Sequence, residues 1–190
     1  MTMLDSRDPM PRKAAVRRAS APGALKPPLK WAGGKRWQMP HLSRLWKRHA
    51  ARRLVEPFCG GLAVALGLRP ERALLNDVNP HLINFYRHLQ RGFVTPLPMA
   101  NARAAYYTHR RRFNEMLAAG EAESEEAAAL FYYLNRTGYN GLCRFNKSGE
   151  FNVPFGSFER INYRSDFLEY KIAFAGWEFM NPLQAGRAAK

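Results

Sequence analysis

Residues 53–62, Arg53-Leu54-Val55-Glu56-Pro57-Phe58-Cys59-Gly60-Gly61-Leu62, set the reading of the whole chain. Arg53 to Phe58 reads as a short buried strand, Gly60-Gly61 as a turn, and the apolar run from Leu62 to Leu68 as a helix. The unit then recurs. Ala73-Leu74-Leu75 ends at Asn76-Asp77, Asn79 is placed to cap a helix and Pro80 to start it, and Leu82, Tyr86 and Leu89 share one face until Gly92 closes it. Strand alternating with helix predicts a parallel sheet with right-handed crossovers, in which ligands bind beyond the carboxyl ends of the strands.

Upstream of that unit, Leu29-Lys30-Trp31-Ala32-Gly33-Gly34-Lys35 is a glycine turn with a large aromatic before it and an amine after it. It leads into a predicted helix through Leu42, Leu45 and Trp46. Downstream, from about residue 100 to 135, the pattern becomes wholly helical: Ala102 to Ala119 closes at Gly120, and Ser124 caps a second helix with Glu125 and Glu126 in its first turn. The segment from Leu142 to Val153, centred on Asn146-Lys147-Ser148-Gly149, reads as a polar hairpin or an ordered loop rather than core sheet.

Composition narrows the class of function. At 190 residues there is room for one ordinary domain with a smaller insertion, and no apolar run approaches the roughly 18 residues of a membrane span. A soluble, monomeric, cytoplasmic protein with no membrane partner is expected. The net charge of +15 points to an anionic partner such as nucleic acid. Its distribution is uneven: residues 1–53 hold 14 Lys/Arg against 2 acids, whereas residues 54–190 hold 16 against 13. The first 24 residues, with Arg12, Lys13, Arg17 and Arg18 among three prolines, read as a disordered basic arm, either a plain solvated leader or a contact to DNA phosphates. Two widely separated cysteines, Cys59 and Cys143, and five histidines without ligand spacing predict no metal and no disulfide framework.

Glycines after the first strand let a backbone approach a ligand, and an acid at the end of the next strand can accept hydrogen bonds from ribose hydroxyls. Gly60 and Asp77 have that relation, although Phe58-Cys59-Gly60-Gly61-Leu62 is not a GxGxxG loop and two glycines can be a turn alone. Taken together with Trp31-Ala32-Gly33-Gly34-Lys35, these pieces resemble the DNA adenine methylase family, the Dam-type or D12-class enzymes. The resemblance implies S-adenosylmethionine as cofactor, with Trp31, Gly33, Gly34 and Lys35 at its methionine end, Phe58 and Gly60 lining the loop and Asp77 on the ribose. A cationic sulfonium carrying a carboxylate and a nucleoside suits an aromatic wall, an amine and a ribose acceptor. Leu62 departs from the pattern, standing where many relatives have a second loop glycine. A tighter turn or a reshaped pocket is expected, with Gly61 compensating.

The longest match runs from Asn135-Arg136-Thr137-Gly138-Tyr139-Asn140-Gly141-Leu142-Cys143-Arg144-Phe145-Asn146 through Gly149-Glu150-Phe151-Asn152-Val153-Pro154-Phe155-Gly156. Arginine and asparagine interleaved with aromatics on a glycine-rich scaffold can read base edges and fill gaps in a stack. By resemblance Arg144 contacts guanine, Tyr139 wedges into the duplex, Asn140 bonds an unpaired base, and Leu142 and Pro154 pack on methyl or sugar surfaces of double-stranded DNA. Phe145, Phe151 and Phe155 read as a hydrophobic cluster beneath the loop.

The fold class that follows is α/β: an incomplete Rossmann-like methyltransferase sheet with a helical and hairpin target-recognition insertion. Its expected divisions are an arm over 1–24, cofactor-binding part over 25–95, recognition insertion over 96–160, and a return strand and tail over 161–190, the strand being Phe174-Ala175-Gly176-Trp177-Glu178-Phe179. The resemblance implies adenine-N6 methylation of duplex DNA at GATC-like sites, on a base extruded from the helix. In the family, Asp-Pro-Pro-Tyr binds the adenine amine. No such tetrapeptide occurs, and Asn181-Pro182-Leu183-Gln184 lacks the second proline and the stacking ring. A catalytically incomplete chain is therefore the expectation, through truncation, frameshift or decay. Two alternatives stay open: a binding-only descendant, and a cofactor-independent structural or RNA-binding protein that shares the sheet.

Overall fold

A computed structural model describes residues 25–182; the basic arm over 1–24 and the tail from residue 183 lie outside the described residues. Three strands, β1 (Leu54–Glu56), β2 (Ala73–Asn76) and β3 (Trp177–Met180), form a parallel sheet in the order β1-β2-β3. Six α-helices accompany them: α1 (Met39–Trp46), α2 (Ala63–Leu68), α3 (Pro80–Arg91), α4 (Arg103–Ala118), α5 (Glu125–Thr137) and α6 (Leu168–Ala173). The chain is thus mixed α/β. The helices α4 and α5 pack on each other in the interval between α3 and α6.

Helix α3 organises the molecule. Asn79 caps it, its Oδ1 accepting the N–H groups of His81 at 3.0 Å and Leu82 at 3.2 Å, and Gly92 ends it in a left-handed conformation. Six of its twelve residues are buried, against α5, α6 and β3. The core there is aromatic: Phe85 stacks on Tyr132 with centroids 5.4 Å apart, and Phe167 meets both rings edge-on. Such pairs each add about 0.5–1.5 kcal/mol beyond the area they bury. At the other end, the Gln90 amide donates to the Phe174 and Trp177 carbonyls, tying α3 to the approach of β3.

Two elements differ from the sequence reading. Strand β1 covers only Leu54–Glu56 and is not buried: it borders the sheet, pairs with β2 alone among the described strands, and leaves Val55 55% exposed. The expected strand from Phe174 begins only at Trp177, because Phe174 closes α6 with its N–H on the Tyr170 carbonyl. Tyr170 and Phe174 are spaced four apart, a helical period that their β-favouring rings conceal. The 142–153 segment agrees with the sequence reading: it is an ordered loop, with one antiparallel bridge, Phe145 to Phe151, and a second bridge joins Gly138 to Phe155.

Candidate functional site

The ends of β1 and β2 feed two loops that meet the Trp31 turn. Trp31, Gly33, Gly34, Lys35, Phe58, Gly60 and Asp77 all line one cavity of about 300 Å³, together with Glu56 and Gly61. All seven residues expected at a cofactor are therefore brought together. The volume is at the lower end of the roughly 300–1,000 Å³ usual for small-molecule sites. Its rim includes the ring of Phe58, 83% exposed.

Two motifs far apart in sequence interlock to make the wall. A Cβ on Gly60 would lie 3.0 Å from Trp31 Nε1, and one on Gly61 would lie 2.8 Å from Trp31 Cβ. The glycines thus admit the indole; ligand approach alone, the sequence-based reading, understates their role. Gly60 is then held at both polar atoms, its N–H donating to Asp77 Oδ2 at 2.9 Å and its carbonyl accepting from Tyr86 Oη at 2.7 Å. Asp77, only 8% exposed, also accepts the Asn79 N–H at Oδ1. The carboxylate braces the loop as well as facing the cavity. Lys35 curls back, its Nζ donating to the Gly33 carbonyl at 2.8 Å.

The glycine missing after Gly61 is replaced by strain, and Gly61 does not compensate for it. Leu62 itself takes the left-handed conformation, φ 62°, at the N-cap of α2, with its side chain fully buried. Burial of a leucine, about 1.5–3 kcal/mol, outweighs the roughly 1–2 kcal/mol cost of that backbone.

Glu56 is the residue that sequence reasoning missed. It ends β1 inside the cavity, its Oε1 is buried without a hydrogen-bond partner among the described residues, and burial pushes its carboxyl up to about 7 against one opposing bond from the Ala65 N–H. An acid immediately before a glycine loop was the available signal. Its orphaned oxygen is suited to a cation. Cys59 beside it is buried, and burial with the nearby Asp77 and Glu56 carboxylates drives its thiol far up, so it is no nucleophile.

On the adjoining surface, Tyr139, Asn140, Leu142, Arg144 and Pro154 are all exposed, while Gly141, Cys143, Phe145, Phe151 and Val153 between them face inward or pack on the core. The Tyr139 N–H donates to the Pro154 carbonyl at 2.9 Å, joining the two limbs. Arg144 is steered by Asn152, with Nε on Oδ1 at 2.9 Å and Nη2 on the carbonyl at 3.3 Å. Asn135 stands out in the sequence only as part of a motif. Its amide accepts the Lys30 N–H and donates to the Lys30 carbonyl, both at 2.8 Å, and donates to the Gly141 carbonyl at 3.2 Å. Gly141 lies so close to Lys30 that a Cβ there would overlap the lysine side chain. The loop and the Trp31 turn are consequently fastened to each other.

His81, in the first turn of α3, stacks on Phe145 with centroids 4.9 Å apart and meets Phe113 edge-on at 5.3 Å. Burial lowers its imidazole to about 4, so it is a neutral packing ring beneath the loop. Among the described residues no group of three His, Cys, Asp or Glu is placed to hold a metal ion, and no helix is long and apolar enough to cross a membrane.

A family model described as D12 class N6 adenine-specific DNA methyltransferase matches residues 31–181. The chain is 42% identical over 156 residues to the DNA adenine methylase of Vibrio cholerae serotype O1, covering 75% of this chain and 52% of the relative. It is 41% identical over 152 residues to the Retron Ec67 DNA adenine methylase of Escherichia coli, covering 75% and 49%. Against the DNA adenine methylase of Escherichia coli K12 the figures are 41% over 142 residues, 70% and 48%. The chain spans about half the length of these curated relatives.

Proposed function

Because the chain belongs to the D12 class N6 adenine-specific DNA methyltransferases, we propose that it binds S-adenosylmethionine and reads duplex DNA for methylation of adenine N6. The observation that carries this is the convergence of Trp31, Gly33, Gly34, Lys35, Phe58, Gly60 and Asp77 on one cavity. Trp31 supplies an aromatic face to a sulfonium, Glu56 a buried carboxylate to a cation, and Asp77 an acceptor for ribose hydroxyls. When bound, S-adenosylmethionine supplies an electrophilic methyl group. The residues present fit that group: Trp31 gives the cavity an aromatic wall, and Glu56, which also lines it, keeps a buried carboxylate oxygen without a hydrogen-bond partner among the described residues.

The five exposed residues on the adjoining loop take the base-reading roles. Arg144, already oriented by Asn152, keeps donors for a guanine edge, and Tyr139 projects a ring suited to stacking in an opened duplex. GATC-like sites, a Rossmann-like character of the sheet, and the helical pair α4–α5 with the loop as a recognition insertion all belong to this proposal.

Binding without transfer is the second reading. Incubation of the chain with S-adenosylmethionine labelled in its methyl group and a GATC duplex separates the two. Label in the DNA supports the enzyme, and a mobility shift without label supports the binder. Neither label nor shift from folded protein contradicts both.

A further inference from the structure

Between the cavity and the base-reading loop stands one residue, Asn79, whose backbone N–H and side-chain polar atoms are all engaged. The Asn79 N–H donates to Asp77 Oδ1 at 3.0 Å, its Oδ1 caps α3 through His81 and Leu82, and its Nδ2 donates to Cys143 Sγ at 3.2 Å. Cys143 lies between Leu142 and Arg144, and the next inward ring, Phe145, stacks on His81 in the same turn of α3. Two residues before Cys143, the same limb of the loop is fixed independently, by Asn135 holding Gly141. A limb pinned at Gly141 and hydrogen-bonded two residues on, through Cys143, to a residue that touches the Asp77 carboxylate cannot rearrange without disturbing that carboxylate's partners. Nor can a new donor arrive at Asp77 without sharing it with Asn79.

We propose that Asn79 is a positioning residue that couples the cavity to the loop, so that cofactor and specific DNA each raise the affinity for the other. The proposal rests on the function proposed above and names the route within it. Coupling between two binding equilibria is reciprocal, so the factor by which cofactor tightens DNA must equal the factor by which DNA tightens cofactor. The Asn79–Cys143 bond is half-buried, so an amide that loses that acceptor is only partly compensated by water, which gives the bond its leverage on loop conformation.

The test measures affinity of the 190-residue chain for a fluorescein-labelled GATC duplex, with and without saturating S-adenosylhomocysteine, and the reverse titration. Wild-type protein is expected to show the same gain in both directions, about five-fold or more. Asn79→Ser keeps an oxygen for the cap but cannot reach Cys143, and Cys143→Ala removes the acceptor and leaves the cap untouched. Each is expected to bring the factor close to one, and the double variant to fall no further, because both remove one bond. Should Asn79→Ser fail to unfold cooperatively, Cys143→Ala decides alone. Both ligands bound with a wild-type factor of one would overturn the coupling and leave the proposed function standing, as would an undiminished factor in the variants. Failure of the folded protein to bind either ligand would instead overturn the function proposed above.

Discussion

The indole of Trp31 rests on Gly60 so closely that a Cβ there would lie 3.0 Å from Nε1, and this contact makes one cavity wall from two motifs 29 residues apart. Its neighbour gives the cleaner test. Gly61→Ala puts a methyl 2.8 Å from Trp31 Cβ without demanding a left-handed backbone, so the indole must move. Destabilisation of about 1–3 kcal/mol is expected, with at least ten-fold weaker binding of S-adenosylhomocysteine. Thermal unfolding and calorimetric titration measure the two.

On the function proposed above, Glu56 is expected to link cofactor affinity to pH. Its carboxyl, raised to about 7, is partly protonated at neutral pH, and a bound cation favours the ionised form. Affinity should therefore rise from pH 6 to pH 8 with net proton release, seen by calorimetry in buffers of differing ionisation enthalpy. Glu56→Gln should flatten that profile and weaken binding at pH 8.

The same residue and His81 act oppositely on stability. Glu56 holds its proton more tightly folded than unfolded, so the stability it contributes is present below pH 4.5 and lost as pH rises through about 7. His81, lowered from 6.5 to about 4, contributes stability that is present above pH 6.5 and lost on acidification towards pH 4. Each window is worth at most about 3 kcal/mol. Relative to wild type, Glu56→Gln should gain stability at pH 8 and none at pH 4; His81→Phe should gain at pH 4 and not at pH 8. Urea denaturation across that range checks both signs.

Leu62 offers a reversal of the usual order of alanine and glycine. Both truncations lose the buried side chain, but only glycine relieves the φ of 62°, at about 1–2 kcal/mol. Leu62→Gly should therefore be no less stable than Leu62→Ala, although both fall below wild type. Equilibrium unfolding of the pair settles the order.

What was legible in the sequence was local. Trp31 to Lys35 and Phe58 to Gly60 are contiguous pieces that meet at the cavity, Tyr139 to Arg144 presents Tyr139, Asn140, Leu142 and Arg144 to solvent, and the caps Asn79 and Ser124 sit beside the helices they start. What was not legible depends on tertiary neighbours. Tyr86 reaches the Gly60 carbonyl across 26 residues, and Asn135 grips Lys30 across 105. No spacing announces such bonds. Similarly, β1 read as buried because its residues are apolar, but a strand at the border of a sheet is exposed by its neighbours' arrangement, not by its own composition.

The central claim, that Trp31 and the two glycine loops form a pocket for a sulfonium nucleoside, is tested most directly by calorimetric titration of S-adenosylmethionine into wild-type protein and Trp31→Ala. Saturable binding to one site, abolished in a variant that still unfolds cooperatively, is the predicted result. Cooperative unfolding of the wild type with no heat of binding, or equal affinity in the two proteins, would contradict it.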